Sequence, residues 1–142
     1  MTRKHCERRV LRARPPAGLR AKFNKDTLQG LALIHIGLVD ALVAGPELAQ
    51  FWEWLGTVLA WSKVAQQAGL GEDEIRPVVE LAAVLAARFE ANGFVQLDDR
   101  EIDIARSGAV VMDLLAQAVD ADLAAAAARG SSEALAALRC QP

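Results

Sequence analysis

With 142 residues, the chain is long enough for one domain that buries a core without metal or disulfide staples. Alanine supplies 28 of them, tyrosine is absent, and proline and glycine gather at a few points, the balance of an all-α protein. A net charge of only −2 gives no overall basic or acidic character, and two cysteines, Cys6 and Cys140, near opposite ends exclude a disulfide framework.

The charge is unevenly spread. Residues 1–25 carry nine Lys/Arg against the single acid Glu7, or +8, and the remainder carries −10. Residues 1–24 therefore read as a basic, flexible arm, stiffened locally by Pro15-Pro16. Arg8, Arg9, Arg12, Arg14, Arg20, Lys22 and Lys25 are its candidate contacts to nucleic acid or to an acidic partner. Two readings stay open: salt-dependent, sequence-blind phosphate contact, or a solvated tail that docks on its own acidic body. The charged amino-terminus lacks the apolar run of a secretory signal, and no stretch approaches the roughly 20 apolar residues of a membrane span. The expected compartment is the cytoplasm.

Residues 25–142 read as a helical bundle of four main helices plus a short carboxy-terminal one. The first helix begins near Asp26 or Thr27, either of which can cap it, and runs to Ala44, closed by Gly45-Pro46. Leu28, Leu31, Leu38, Val39 and Leu42 form its core stripe with His35 among them. Gly30, Ile34, Gly37, Ala41 and Ala44 form an adjacent face, which suggests close approach of another helix. The stretch from Pro46 to Ala68 holds all three tryptophans and Phe51. Leu48, Phe51, Leu55, Val58, Leu59 and Ala65 recur at helical spacing, and Trp54 and Trp61 widen the stripe, so this helix should be central. Because positions 52 and 54 point about 200° apart on a helix, one tryptophan is expected to be partly exposed and at least two to be buried in the core. Trp54 and Trp61 are the candidate protein-binding residues.

Gly69-Leu70-Gly71 makes a turn. Pro77 restrains Arg76, which predicts that the third helix becomes regular only near there, and Asn92-Gly93 stops it. Val78, Leu81, Ala82, Leu85 and Phe89 are its buried stripe. Phe94–Leu97 crosses in an extended piece. Asp98 and Glu101 have capping-box spacing at the start of a fourth helix, expected from Asp99 to Arg129 with Ala105, Met112, Leu115, Val119 and Leu123 inward. Gly130 should end it, with Ser131 or Ser132 capping a last turn docked by Leu135 and Leu138.

Chemistry-bearing motifs are scarce. Val64-Ala65, Ala68-Gly69-Leu70, Ile75 and Val78 match the apolar spacing of a helix-turn-helix, but the supposed recognition helix opens with Glu72, Asp73 and Glu74, which phosphate would repel. An ordinary helical corner fits the chemistry better. His5 and Cys6 fall short of a zinc site. His35, the lone histidine of the body, reads as a core residue bonded to a carbonyl or side chain. No Walker loop, GxSxG, HExxH or GxGxxG is present, so no enzyme, metal or cofactor is expected.

From Leu31 to Ala124 the layout resembles a loose set of small helical proteins carried by phages, plasmids and integrated elements of proteobacteria. The residues that carry the resemblance are Arg14-Pro15-Pro16, the Ile34-His35-Ile36-Gly37-Leu38 centre, the Gly69-Leu70-Gly71 turn and the Phe94-x-x-Leu97-x-x-x-Glu101 entry to the last long helix. The resemblance brings no catalytic motif. It implies a mobile-element setting, in which such proteins regulate transcription or disable host defence. The expected function is a non-enzymatic interaction protein that binds a host or element-encoded protein or nucleoprotein complex, including an inhibitor of the anti-CRISPR type. Homodimerisation through a small-residue or aromatic face is expected with it. The alternative is a nucleic-acid-binding regulator acting through the arm.

Overall fold

The computed structural model describes residues 22–127 and Arg129. The chain is an all-α bundle of four long helices, α1 (Lys25–Ala44), α2 (Leu48–Ala68), α3 (Glu72–Asn92) and α4 (Asp99–Ala118), followed by a short helical segment at 121–127. The only β pairing among the described residues is an isolated antiparallel bridge between Lys22 and Asp120. The helix expected beyond Gly130, with its Ser131 or Ser132 cap and its Leu135 and Leu138, lies outside the described residues.

Side chains and glycines at the ends set the helix limits. Asn24 caps α1, its side chain accepting from the Thr27 N–H at 2.8 Å, so the cap lies before the expected Asp26 or Thr27. Gly45, Gly69 and Gly93 close α1, α2 and α3 in the left-handed region. The capping box at α4 forms as expected: Asp98 accepts from the Glu101 N–H at 2.8 Å, and Glu101 accepts from the Asp98 N–H at 3.1 Å.

Two helix limits differ from expectation. α3 begins at Glu72 rather than near Pro77, with Gly71 at its head and φ +70°. Proline removes one interior donor but leaves the first turn intact, and Glu72, Asp73 and Glu74 favour the positive helix end. The fourth helix does not run on to Arg129. It stops at Val119, whose backbone turns extended, and Asp120 starts a new segment by accepting from the Asp122 N–H at 2.8 Å. Burial of Val119 and pairing of Asp120 with Lys22 hold this break. Lys22, through this bridge, and the half-buried Phe23 thus pack on the helical bundle.

α2 and α4 each touch the other three long helices, whereas α1 and α3 lie apart across them. The tryptophan helix is therefore central, as its apolar girth requires. Its buried arc runs through Phe51, Trp54, Val58, Trp61 and Ala65, and this rotation leaves Leu48 and Leu59 exposed rather than in the core. Phe51 stacks on Phe89 of α3 with ring centroids 4.9 Å apart. α3 and α4 approach closely at Gly108, where a Cβ would lie 2.7 Å from the Val78 Cβ. Gly30 and Gly37, expected at a helix contact, have nothing within 4 Å of an added Cβ among the described residues.

The α3–α4 connection is clamped by Arg88. Its guanidinium donates to both Glu101 carboxylate oxygens at 3.0 Å and to the Gln96 carbonyl at 2.9 Å. The Arg88 hydrogen bond holds the Glu101 carboxyl below the ordinary glutamate range, and the same bond raises Arg88.

Candidate functional site

Three of the four long helices meet at one buried polar group. His35 of α1 is 1% exposed, and it lies between Trp61 of α2 and Asp113 of α4. The Trp61 indole N–H, which can only donate, points at His35 Nε2 at 3.0 Å. Nε2 must therefore be the accepting nitrogen, and the ring proton sits on Nδ1, which donates to Asp113 Oδ1 at 2.6 Å. The Asp113 side chain is 25% exposed, so the chain of hydrogen bonds runs from the core to the solvent edge.

A carboxylate–histidine pair of this kind is also what a general base needs. Here the basic lone pair on Nε2 is already held by the indole, so the ring has no free acceptor to offer a substrate. What the arrangement does is tie α1 to both central helices. The sequence reading of His35 as a bonded core residue matches this geometry. Its partners stand 26 and 78 residues away, and neither spacing carries a local signal.

Beside this group lies a cleft of about 290 Å³ between α1, α2 and the 121–127 segment. Phe23, Leu31, Ile34, Val64 and Ala124 line it with the Trp61 ring. The polar atoms of its wall are already engaged: Thr57 donates to the Glu53 carbonyl at 2.8 Å, and both His35 nitrogens are bonded. No group of three or more His, Cys, Asp or Glu residues able to hold a metal gathers among the described residues.

The more informative surface is the outer side of α1. Leu33, Ile34 and Ile36 are 72%, 55% and 52% exposed, while only His35, Val39 and Leu42 of the helix are buried. Between Asp26 and Asp40 the helix carries no Asp, Glu, Lys or Arg. By length and composition, with a mean hydropathy of 1.7, α1 meets the requirement of a membrane span, which corrects the expectation that no stretch does. The same composition describes a core helix of a bundle, yet few residues of this one are fully buried.

The residues singled out by sequence fall in different places. Trp54 and Trp61 are core residues, 1% and 7% exposed, and Trp61 reaches open space as part of the cleft wall. Trp52 is the half-exposed tryptophan, packed partly against the core. Lys22 and Lys25 are exposed at the foot of α1, and Arg8, Arg9, Arg12, Arg14 and Arg20 lie outside the described residues. At the α2–α3 corner, Val64, Ala65, Ile75 and Val78 are buried, so core packing accounts for their spacing, and Glu72, Asp73 and Glu74 are exposed. Nothing local in the sequence pairs Asp113 with His35, and on the outer side of α1 the sequence reading singled out Ile34 and Gly37 for a helix contact but not Leu33. The run of α1 without acid or base was the available signal for the face. No family model matches the chain, and no curated protein or solved structure matches it significantly.

Proposed function

We propose that this protein works by binding another macromolecule through the outer face of α1 and not by turning over a substrate. The observation that carries the reading is the exposure of Leu33, Ile34 and Ile36 on a helix without charge between Asp26 and Asp40. Contiguous apolar surface of this kind marks interaction sites, because water leaves it favourably when a partner arrives. The pattern-level resemblance to small helical proteins of phages, plasmids and integrated elements supports a mobile-element setting. In that setting the partner is a host or element-encoded protein or nucleoprotein complex, and inhibition of host defence in the anti-CRISPR manner is the most specific form of the reading.

A second reading rests on the +8 charge of residues 1–25, which suits a nucleic-acid-binding regulator acting through the arm. One capture experiment tests both: the tagged protein is recovered from proteobacterial lysate with and without nuclease. A stoichiometric protein partner that survives nuclease and is lost on Leu33→Glu supports the interaction reading. Recovery that vanishes with nuclease, and with deletion of residues 2–22, overturns it in favour of the regulator.

A further inference from the structure

We infer that His35 is an acid-operated latch between α1 and α2: a proton taken up at its Nε2 breaks the bond to Trp61 and leaves the bond to Asp113 in place. The latch works whatever meets the outer face of α1. An indole nitrogen carries a hydrogen to donate and no lone pair with which to accept. The Trp61–His35 bond at 3.0 Å therefore exists only while Nε2 is bare. An imidazolium carries a hydrogen on both ring nitrogens, so two N–H groups would then face each other across that distance.

The other side of the ring answers in the opposite sense. Nδ1 donates to Asp113 Oδ1 at 2.6 Å in either state, and protonation of the ring puts charge on both partners of that bond. Asp113 is thus the counter-ion that a charged ring needs in a position only 1% exposed, and its own side chain reaches solvent. Asp113 is the charged group that α4 turns to the ring, with Ala109, Met112 and Ala116 buried around it. The side chains that share the cleft with His35 are uncharged: α2 presents Thr57, Ala60 and Val64, and the 121–127 segment presents Ala124 and Ala125. α1 itself has no Asp, Glu, Lys or Arg between Asp26 and Asp40.

The cleft of about 290 Å³ borders both partners of the Trp61–His35 bond. It gives a proton its way to Nε2, and it gives the freed indole N–H a way to water when the Trp61 ring turns toward it. Acidification then uncouples α1 from α2 while holding α1 on α4, and the wall between α1 and α2 is where the molecule loosens.

The test is a pH titration of the isotope-labelled full chain by nuclear magnetic resonance, with helicity followed by circular dichroism. The readout is the scalar coupling between Trp61 Nε1 and His35 Nε2, which passes only through an intact hydrogen bond. The indole of Trp54, buried without a hydrogen-bond partner among the described residues, is the internal reference. Near neutrality the coupling is expected, with the ring proton on Nδ1. On acidification Nε2 should protonate, the coupling should vanish, and the Trp61 N–H should exchange with water about tenfold faster relative to Trp54, the factor of one ordinary hydrogen bond. Helicity should not change over the same range. His35→Gln, whose amide can serve both partners but takes up no proton, should hold the Trp61 signal still. Absence of the coupling near neutrality overturns the inference, as does a coupling that persists to the point of acid unfolding or is lost only together with helicity. A first proton that lands on Asp113 while Nε2 stays bare overturns it too, and so does a Trp61 signal that still moves in folded His35→Gln. Should that variant not fold, the wild-type coupling decides alone.

Discussion

Two tryptophans with nearly equal burial and opposite polar circumstances give the sharpest contrast in this core. The Trp61 N–H donates to His35, whereas Trp54 Nε1 is buried and has no hydrogen-bond partner among the described residues. Trp61→Phe leaves the buried His35 Nε2 without its donor. Trp54→Phe removes an unpartnered donor along with the same ring volume. Trp61→Phe should therefore cost about 1–3 kcal/mol more in urea unfolding than Trp54→Phe, since a buried polar atom left alone carries that penalty. Equal costs would mean that the indole–imidazole bond contributes nothing net. Gly108 offers a second test at this scale. An alanine methyl there meets the Val78 Cβ at 2.7 Å, an atom fixed to the backbone, so the helices must part. Gly108→Ala should destabilise by about 1–3 kcal/mol despite alanine's better helix propensity. Adding Val78→Ala should make the pair less than additive, which a double-mutant cycle of melting curves would read.

Among the elements, the limits that were legible in the sequence are those written in local chemistry. Gly45, Gly69 and Gly93 stop helices where only glycine takes the left-handed conformation readily, and Asp98 with Glu101 satisfies the first turn of α4 within four residues. The break at Val119 is different. Neither glycine nor proline marks it, and at the break the Asp120 cap stands beside a bridge to Lys22, far away in the chain. The rotation of α2 was hidden for a related reason: an all-round apolar helix does not say which of its tryptophans faces its neighbours. The candidate site was least legible, because His35 is completed by Trp61 and Asp113 through tertiary packing alone. The α3–α4 joint yields a pH prediction. The Glu101 pKa is lowered in the folded chain, so its ion pair stabilises fully above the unfolded value of about 4.3, and the contribution is lost as pH falls through the folded value. The raised Arg88 stays charged throughout the ordinary range and adds no second limb there. Glu101→Gln should lower the melting temperature at neutral pH, and the difference from wild type should shrink on acidification below the ordinary glutamate range. A difference that persists unchanged in acid would assign Glu101 a packing role instead of a charged one.

For the whole molecule, the packing graph ranks the helices. α2 buries eight residues and touches all the other long helices, while α1 buries three, packs Leu28, Leu31, Leu38 and Val43 partly against the core and leaves Leu33, Ile34 and Ile36 exposed. Regions with fewer buried contacts open at lower free energy than the global unfolding reaction, so amide exchange should grade along this order. In the wild type at high dilution, α1 amides should exchange ahead of those of α2, with α4 close to α2. Were α1 and α2 to exchange together at one free energy, the hydrogen bonds from His35 to Trp61 and Asp113 would be enough to make α1 part of a single cooperative unit.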